Sequence, residues 1–300
     1  MVALAQFGTI LSDSDECFRG RFPKTHVFNG LRHACSIGLQ GESAFLTAEV
    51  LQGWPSLRDA IQYSTLPGVM YLSEFAGKGE FGSGIEDAFL AAFFYVLARL
   101  AHSRSNGWDA AGKAEAYLGA IGQGYLTGAL LRLPALGRRQ VQDAGGMFAR
   151  WPAAAPTRQD MISMWKKWVV GAIATARVVQ AFLLQRRPGM VVVLPEPSID
   201  FYHGIDVLVG YGDRVWGIQA EARGSAFSSL RVVSGPGFQD REGGALGFSA
   251  VAQKIAAFGD VQGLTMTPCI ALVGMGGTAD RTVLEDERLI GAVSRMFEYI

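Results

Sequence analysis

Cysteine is scarce. Cys17, Cys35 and Cys269 stand far apart among 300 residues, with no CxxC pair and no Cys/His ligand spacing, which excludes a disulfide scaffold and a zinc knuckle. Free thiols of this kind point to a reducing, cytoplasmic setting. An excess of either charge is also missing. With 27 Lys+Arg against 27 Asp+Glu the chain as a whole is not drawn to a polyanion, so contact with nucleic acid has to come from a local basic patch. Long apolar runs are absent as well. The two most apolar windows, 88–100 and 168–184, fall short of the roughly twenty uninterrupted residues of a membrane span. Arg177 breaks the second, so both read as buried helices. The amino terminus carries no basic start followed by an apolar run and a small-residue cleavage site, so no export leader is expected. No repeat of twenty to fifty residues is visible.

What is present is the composition of a globular chain, 49% hydrophobic and 18% charged, long enough for one large domain or two ordinary ones. Residues 1–75 give mixed signals, with a helix expected near 43–51. From Gly84 onward Phe89, Ala92, Phe93, Val96 and Leu100 recur at three and four residues, the period of one helix face. A second helix is expected over 109–131 despite Gly119, Gly122, Gly124 and Gly128, which close helix packing would explain. The stretch 151–157, WPAAAPT, is the linker candidate, with Thr157 capping a long buried helix over 158–187.

After Pro188 the texture changes to short β-rich runs at 190–194, 205–209, 215–222 and 269–273, with helices over 248–258 and 281–299. The expected fold class is therefore α/β, a mixed central sheet flanked by helices. A mainly helical domain for recognition or assembly over 1–157 would precede an α/β domain over 158–300.

Tyr211-Gly212-Asp213-Arg214 reads as a tight turn. Counting outward, Val209 faces Trp216, Val207 faces Ile218, Asp206 faces Gln219 and Gly204 faces Glu221. Alternation puts Gly217, Gln219, Glu221 and Arg223 on one face of the second strand. Polar groups in a strand covered by helices need either solvent or a task. A nearby carboxylate at Asp206 makes holding a hard cation a suitable one. The bland reading is a polar strand face in an ordinary α/β domain.

The run 199–209, IDFYHGIDVLV, followed by 217–223, GIQAEAR, resembles the core of the PD-(D/E)XK nuclease superfamily over roughly 161–282. The resemblance implies a restriction-endonuclease-like fold. It also implies one or two Mg²⁺ (or Mn²⁺) ions, held by an Asp at the start of the second strand and a (D/E)-x-K triplet on the third, that activate water against a phosphodiester. Position by position, Asp206 matches the Asp, Gln219 the first acidic position, and Glu221 stands where the lysine belongs. Arg223 would contact the phosphate, although a guanidinium cannot shuttle protons at neutral pH. The family's helical glutamate has no match within 158–187, which leaves Glu196 or Asp200 for that role.

Two functions are thus expected. The first is a metal-dependent nuclease, DNA ahead of RNA, of the kind used in restriction, phage defence or mobile-element processing. The second is a catalytically inactive nuclease-like subunit for binding or assembly. Both leave a homo-oligomer or a partner subunit open, and neither requires a membrane. His203 reads as a structural histidine, Gly77–Gly82 as a flexible loop, and Gly274-Met275-Gly276-Gly277 as a turn. Lys166, Lys167, Arg186, Arg187, Arg231, Arg241 and Lys254 read mostly as solvated faces or caps. The long loop 225–247 reads as mobile or functional.

Overall fold

The structure is a computed structural model that describes residues 4, 6–11, 37, 71, 83–148, 158–233, 248–276 and 281–298. The helix expected over 43–51, the Gly77–Gly82 loop, the linker 151–157 with its Thr157 cap, and residues 234–247 of the long loop lie outside them. Residues 1–22 and 173–300 form one compact unit and 23–172 another. This division differs from a boundary at 157/158 in two ways. The long helix contributes to both units, and the amino terminus belongs with the sheet.

In the helical unit, α1 (Ser83–Arg104) and α2 (Ala110–Arg132) are joined by a short turn. They are followed by α3 (Ala135–Asp143), α4 (Gly145–Phe148) and the first half of α5 (Arg158–Leu184). The Asp109 side chain caps α2, accepting from Gly112 N–H at 2.8 Å, as an acidic N-cap does. The glycines of α2 have a steric reason at Gly122. A Cβ there would lie 2.4 Å from the Trp168 ring, so its absence lets the α5 indole pack against the helix. α1 is buried along most of its length and sequesters Asp87, which accepts from Arg132 Nη1 at 2.6 Å. α5 is long and apolar enough to cross a bilayer by length and composition, but 61% of its most apolar window is buried inside the protein, as in a core helix.

The second unit is mixed α/β. Its sheet contains β1 (Gly8–Leu11), β2 (Val191–Pro195), β3 (Val207–Tyr211), β4 (Arg214–Arg223), β5 (Ser229–Val232) and β6 (Met266–Gly274), in the order β1-β2-β3-β4-β6-β5. β1 to β4 pair antiparallel, β6 runs parallel to β4, and β5 is antiparallel to β6. A parallel pair needs a long crossover, which includes α7 (Phe248–Gln262). Two helices complete the unit, α6 (Pro197–His203) between β2 and β3, and α8 (Glu287–Glu298) after β6.

One sheet face packs on α6 and α7 through Val193, Leu208, Val215, Ile199, Val251 and Ile255. The other carries Trp216, whose ring meets Phe297 of α8 edge-on at 6.0 Å, and Phe297 in turn meets Phe182 of α5 at 6.2 Å. Such aromatic pairs add to the area that they bury. Arg177 of α5, almost fully buried, donates to the carbonyl oxygens of Gly274 and Val283.

Several expectations are corrected. β1 emerges from the stretch of mixed signals because its edge can pair with β2. Ser229–Val232, inside the expected loop, is a strand on β6. Residues 281–286 are not helical, because Asp286 Oδ1 accepts from Arg288 and Leu289 N–H and starts α8 there. Gly274–Gly276 is not a turn. Met275 N–H donates to Arg223 O and Gly276 N–H to Ser225 O, so this stretch runs beside the end of β4.

β4 approaches α7 closely at Gly217, where a Cβ would sit 2.5 Å from Ile255 Cγ2 and 2.9 Å from Met266 Sδ. Gly217→Val is expected to lower stability by about 1–3 kcal/mol through overpacking. Urea denaturation followed by far-UV circular dichroism measures this.

Candidate functional site

The hairpin turn forms as the sequence implies, with Gly212 at φ 62° and the pairs Tyr211/Arg214, Val209/Trp216 and Val207/Ile218. Beyond Val207 the expected register ends. The pairs Asp206/Gln219 and Gly204/Glu221 are not part of the ladder. The reason lies in α6, which the β-rich texture concealed. Pro197 occupies its first turn, and Gly204 follows its end at φ 66°, in the left-handed region that favours glycine. The chain therefore reverses just before Asp206 and cannot be extended there.

From Gln219 to Arg223, β4 thus has β6 on one side and no β3 backbone on the other. Asp206 bridges the start of this notch. Its own N–H donates to Ile218 O at 2.9 Å. Its Oδ2 accepts from Ala220 N–H at 2.8 Å, in place of a strand carbonyl. Residues 219–223 are all half-buried, a mixture of shelter and solvent access.

α6 delivers the second carboxyl. The Asp206 charge acts on the Asp200 carboxyl, and each group retains some solvent contact. Enclosure by protein atoms, and then the neighbouring Asp206 charge, push the Asp200 carboxyl well above the usual carboxylate range. Asp206 is pushed up to about 7 by burial, opposed by the Ala220 N–H that stabilises its anion. Two acids that act on each other in this way ionise as a pair. A pair of this kind can hold a proton at neutral pH.

Further along β4, Arg223 Nη2 donates to Glu221 Oε2 at 3.0 Å. Gln219 and Glu221 share a strand face with Gly217, which points at α7. Of the two candidates for the helical acid, Asp200 is the one that the Asp206 charge acts on. Glu196 stands at the N-cap of α6, where its N–H donates to Phe7 O. The structure therefore joins Glu221 to Arg223 and sets Asp200 within electrostatic reach of Asp206. Among the described residues no group of three or more His, Cys, Asp or Glu side chains is gathered as metal ligands.

His203 packs its ring 4.8 Å from Phe258. Burial, with the Lys254 charge adding to it, holds its imidazole below the ordinary value, consistent with a structural histidine. Cys269, buried in β6, has its thiol pushed up to about 12 by burial, which leaves it a poor nucleophile. No protein-family profile matches the chain, and neither a curated protein nor a solved structure is significantly similar to it.

The carboxyl pair has a consequence for stability. Its native values lie above the unfolded one, so the protonated pair is favoured by folding. That contribution is full below about pH 4 and lost as the pH rises through about 7. Asp200→Asn removes one charge of the pair. It is expected to be more stable than the parent at pH 8, on the order of 1 kcal/mol, and little different at pH 4. Denaturant titrations at both pH values check this, and a variant less stable at pH 8 would show that the pair is not strained there.

Proposed function

We propose that this chain is a metal-dependent nuclease of restriction-endonuclease-like fold, acting on phosphodiester bonds with Mg²⁺ or Mn²⁺ at Asp206. The observation that carries the reading is the half-buried Asp200–Asp206 pair beside the notch in β4, on which Glu221 and Arg223 stand. The order α5, β2, β3, β4, α7, β6 supports it. So does the placement of Asp206 immediately before the second strand of the meander and of Gln219-Ala220-Glu221 on the third. These are the positions that the resemblance implies for a metal-binding Asp and its partner triplet.

The donor set fits a hard divalent cation. Mg²⁺ is commonly held by one or two carboxylates, with waters and substrate phosphate completing the shell, so a third protein carboxylate is not required. Asp206 and Asp200 would hold the ion, with Gln219 and Glu221 as further oxygen donors on β4. When bound, such an ion supplies Lewis-acid activation of water and charge neutralisation at the phosphorus. Asp206 stays oriented by Ala220 N–H, and its partner is placed by the rigid reversal at Gly204. Arg223 offers a guanidinium for a phosphate oxygen, as a fixed donor and not as a proton carrier.

One observation favours the second reading, a nuclease-like subunit that binds or assembles without cutting. Glu221 stands where the resemblance implies a lysine. DNA is the first substrate to try and RNA the second. Incubation of single- and double-stranded DNA and RNA with Mg²⁺ or Mn²⁺ is expected to give cleavage that EDTA abolishes. Asp206→Ala should lower the cleavage rate by at least about a hundredfold. Asp206→Asn should do the same while keeping an acceptor for Ala220 N–H, which separates loss of chemistry from loss of fold. Cleavage that persists in Asp206→Asn rejects the site. Nucleic-acid binding without cleavage in the parent supports the second reading.

A further inference from the structure

Beyond Asp206 the β3 side of β4 is a row of backbone groups without a ladder. Alternate residues of a strand turn their backbone groups to opposite neighbours. The Arg223 carbonyl accepts from Met275 N–H, so Gln219, Glu221 and Arg223 address β6 and its continuation, while Ile218, Ala220 and Ala222 address the β3 side. Ile218 O and Ala220 N–H are both engaged there by Asp206. Ala220 O, Ala222 N–H and Ala222 O come next. The β3 ladder has ended at Val207 by then, and among the described residues nothing bonds to any of these groups. Both alanines are half-buried, and their methyl groups put little bulk beside the row.

The order of these groups along the edge is acceptor, donor, acceptor. Their repeat is two residues, roughly 6.8 Å of strand. A second polypeptide strand has N–H and C=O groups of the same spacing and matches all of them, which is how an open edge recruits a chain. A phosphodiester offers acceptors alone and would leave both carbonyls unmatched. The head of the row adds a charge requirement. There the Asp206 carboxylate is fixed by Ala220 N–H at 2.8 Å, with Asp200 in electrostatic reach, so a cationic group is the favourable neighbour and an anionic one is not.

We propose that this row is a docking edge for an extended peptide segment of a partner protein, paired to Ala220 O, Ala222 N–H and Ala222 O, with a lysine or arginine of that segment beside the Asp206 carboxylate. The surface goes beyond the nuclease reading and does not need it. A basic side chain and a metal ion would compete for the same carboxylate.

Nitrogen–proton NMR of the full chain, labelled with ¹⁵N at alanine, reads the Ala222 amide directly, and Ala222→Ser assigns it by deleting its signal. In the free chain the Ala222 amide should exchange with deuterium at least about tenfold faster than the Ala220 amide, which is bonded to Asp206. The probes are an acetylated and amidated Thr-Val-Lys-Val-Thr peptide, the same peptide with glutamate for lysine, and a lysine version N-methylated at every peptide bond. The lysine peptide should move the Ala222 signal downfield and slow its exchange, saturating at millimolar concentration. Glutamate should weaken binding about fivefold, Asp206→Asn should erase that preference, and N-methylation should abolish binding. An Ala222 amide as protected as that of Ala220 in the free chain overturns the proposal, because the row is then already covered. Loss of that protection on dilution would identify a second copy as the cover. No effect of the lysine peptide at about 10 mM overturns it too, as does equal binding of the lysine and glutamate peptides. If a DNA oligonucleotide moves the Ala222 signal where the peptides do not, the occupant is a phosphodiester and the peptide edge is rejected.

Discussion

The hydrogen bond from Ala220 N–H to the Asp206 carboxylate is the contact on which the site depends. A strand whose neighbour stops short must find acceptors for its exposed N–H groups, because an unpaired buried donor is costly. Here a side chain takes the place of the missing backbone. That substitution fixes Asp206 at the start of β3 and leaves the remainder of β4 without a β3 partner. It also forces a carboxylate into a position where burial disfavours its charge. Structural need and chemical opportunity meet in one group.

Gly204 supplies the geometry that makes this possible. Its left-handed conformation ends α6 and turns the chain into β3 within two residues, which leaves Asp200 within electrostatic reach of Asp206. Two carboxyls forced together are unfavourable for folding above neutral pH, the kind of local conflict that proteins retain at functional sites. In the proposed function a hard cation would relieve that conflict by stabilising both anions.

Packing covers both faces of β4 just before the notch. α7 lies against the Gly217 face of β4, where the lack of a side chain allows close approach. On the reverse face Trp216, Phe297 and Phe182 form an aromatic stack between the sheet and α8 and α5. Arg177 ties α5 to the end of β6 through the Gly274 carbonyl.

The amphipathic and apolar periodicities were sufficient by themselves to place α1, α2, α5 and α7, because each has a long repeat that only a helix satisfies. The tight turn at Gly212-Asp213 likewise determined the hairpin register as far as Val207 and Ile218, since a two-residue loop permits one alignment. Alternation on β4 then put Gln219, Glu221 and Arg223 on one face. α6 was less legible, although Pro197 and Gly204 bracket it. A seven-residue helix has too few turns for periodicity to show, and its apolar residues blend with those of the strand that follows. β1 and β5 were hidden for a related reason, being short edge strands whose stability comes from a neighbour distant in sequence. Only tertiary structure decided that Asp200 meets Asp206, and that the carboxylate of Asp206 caps β4 in place of facing Gln219 across a ladder. Both follow from where a chain reversal leaves a backbone donor unpaired, a condition of three-dimensional pairing that no local pattern encodes.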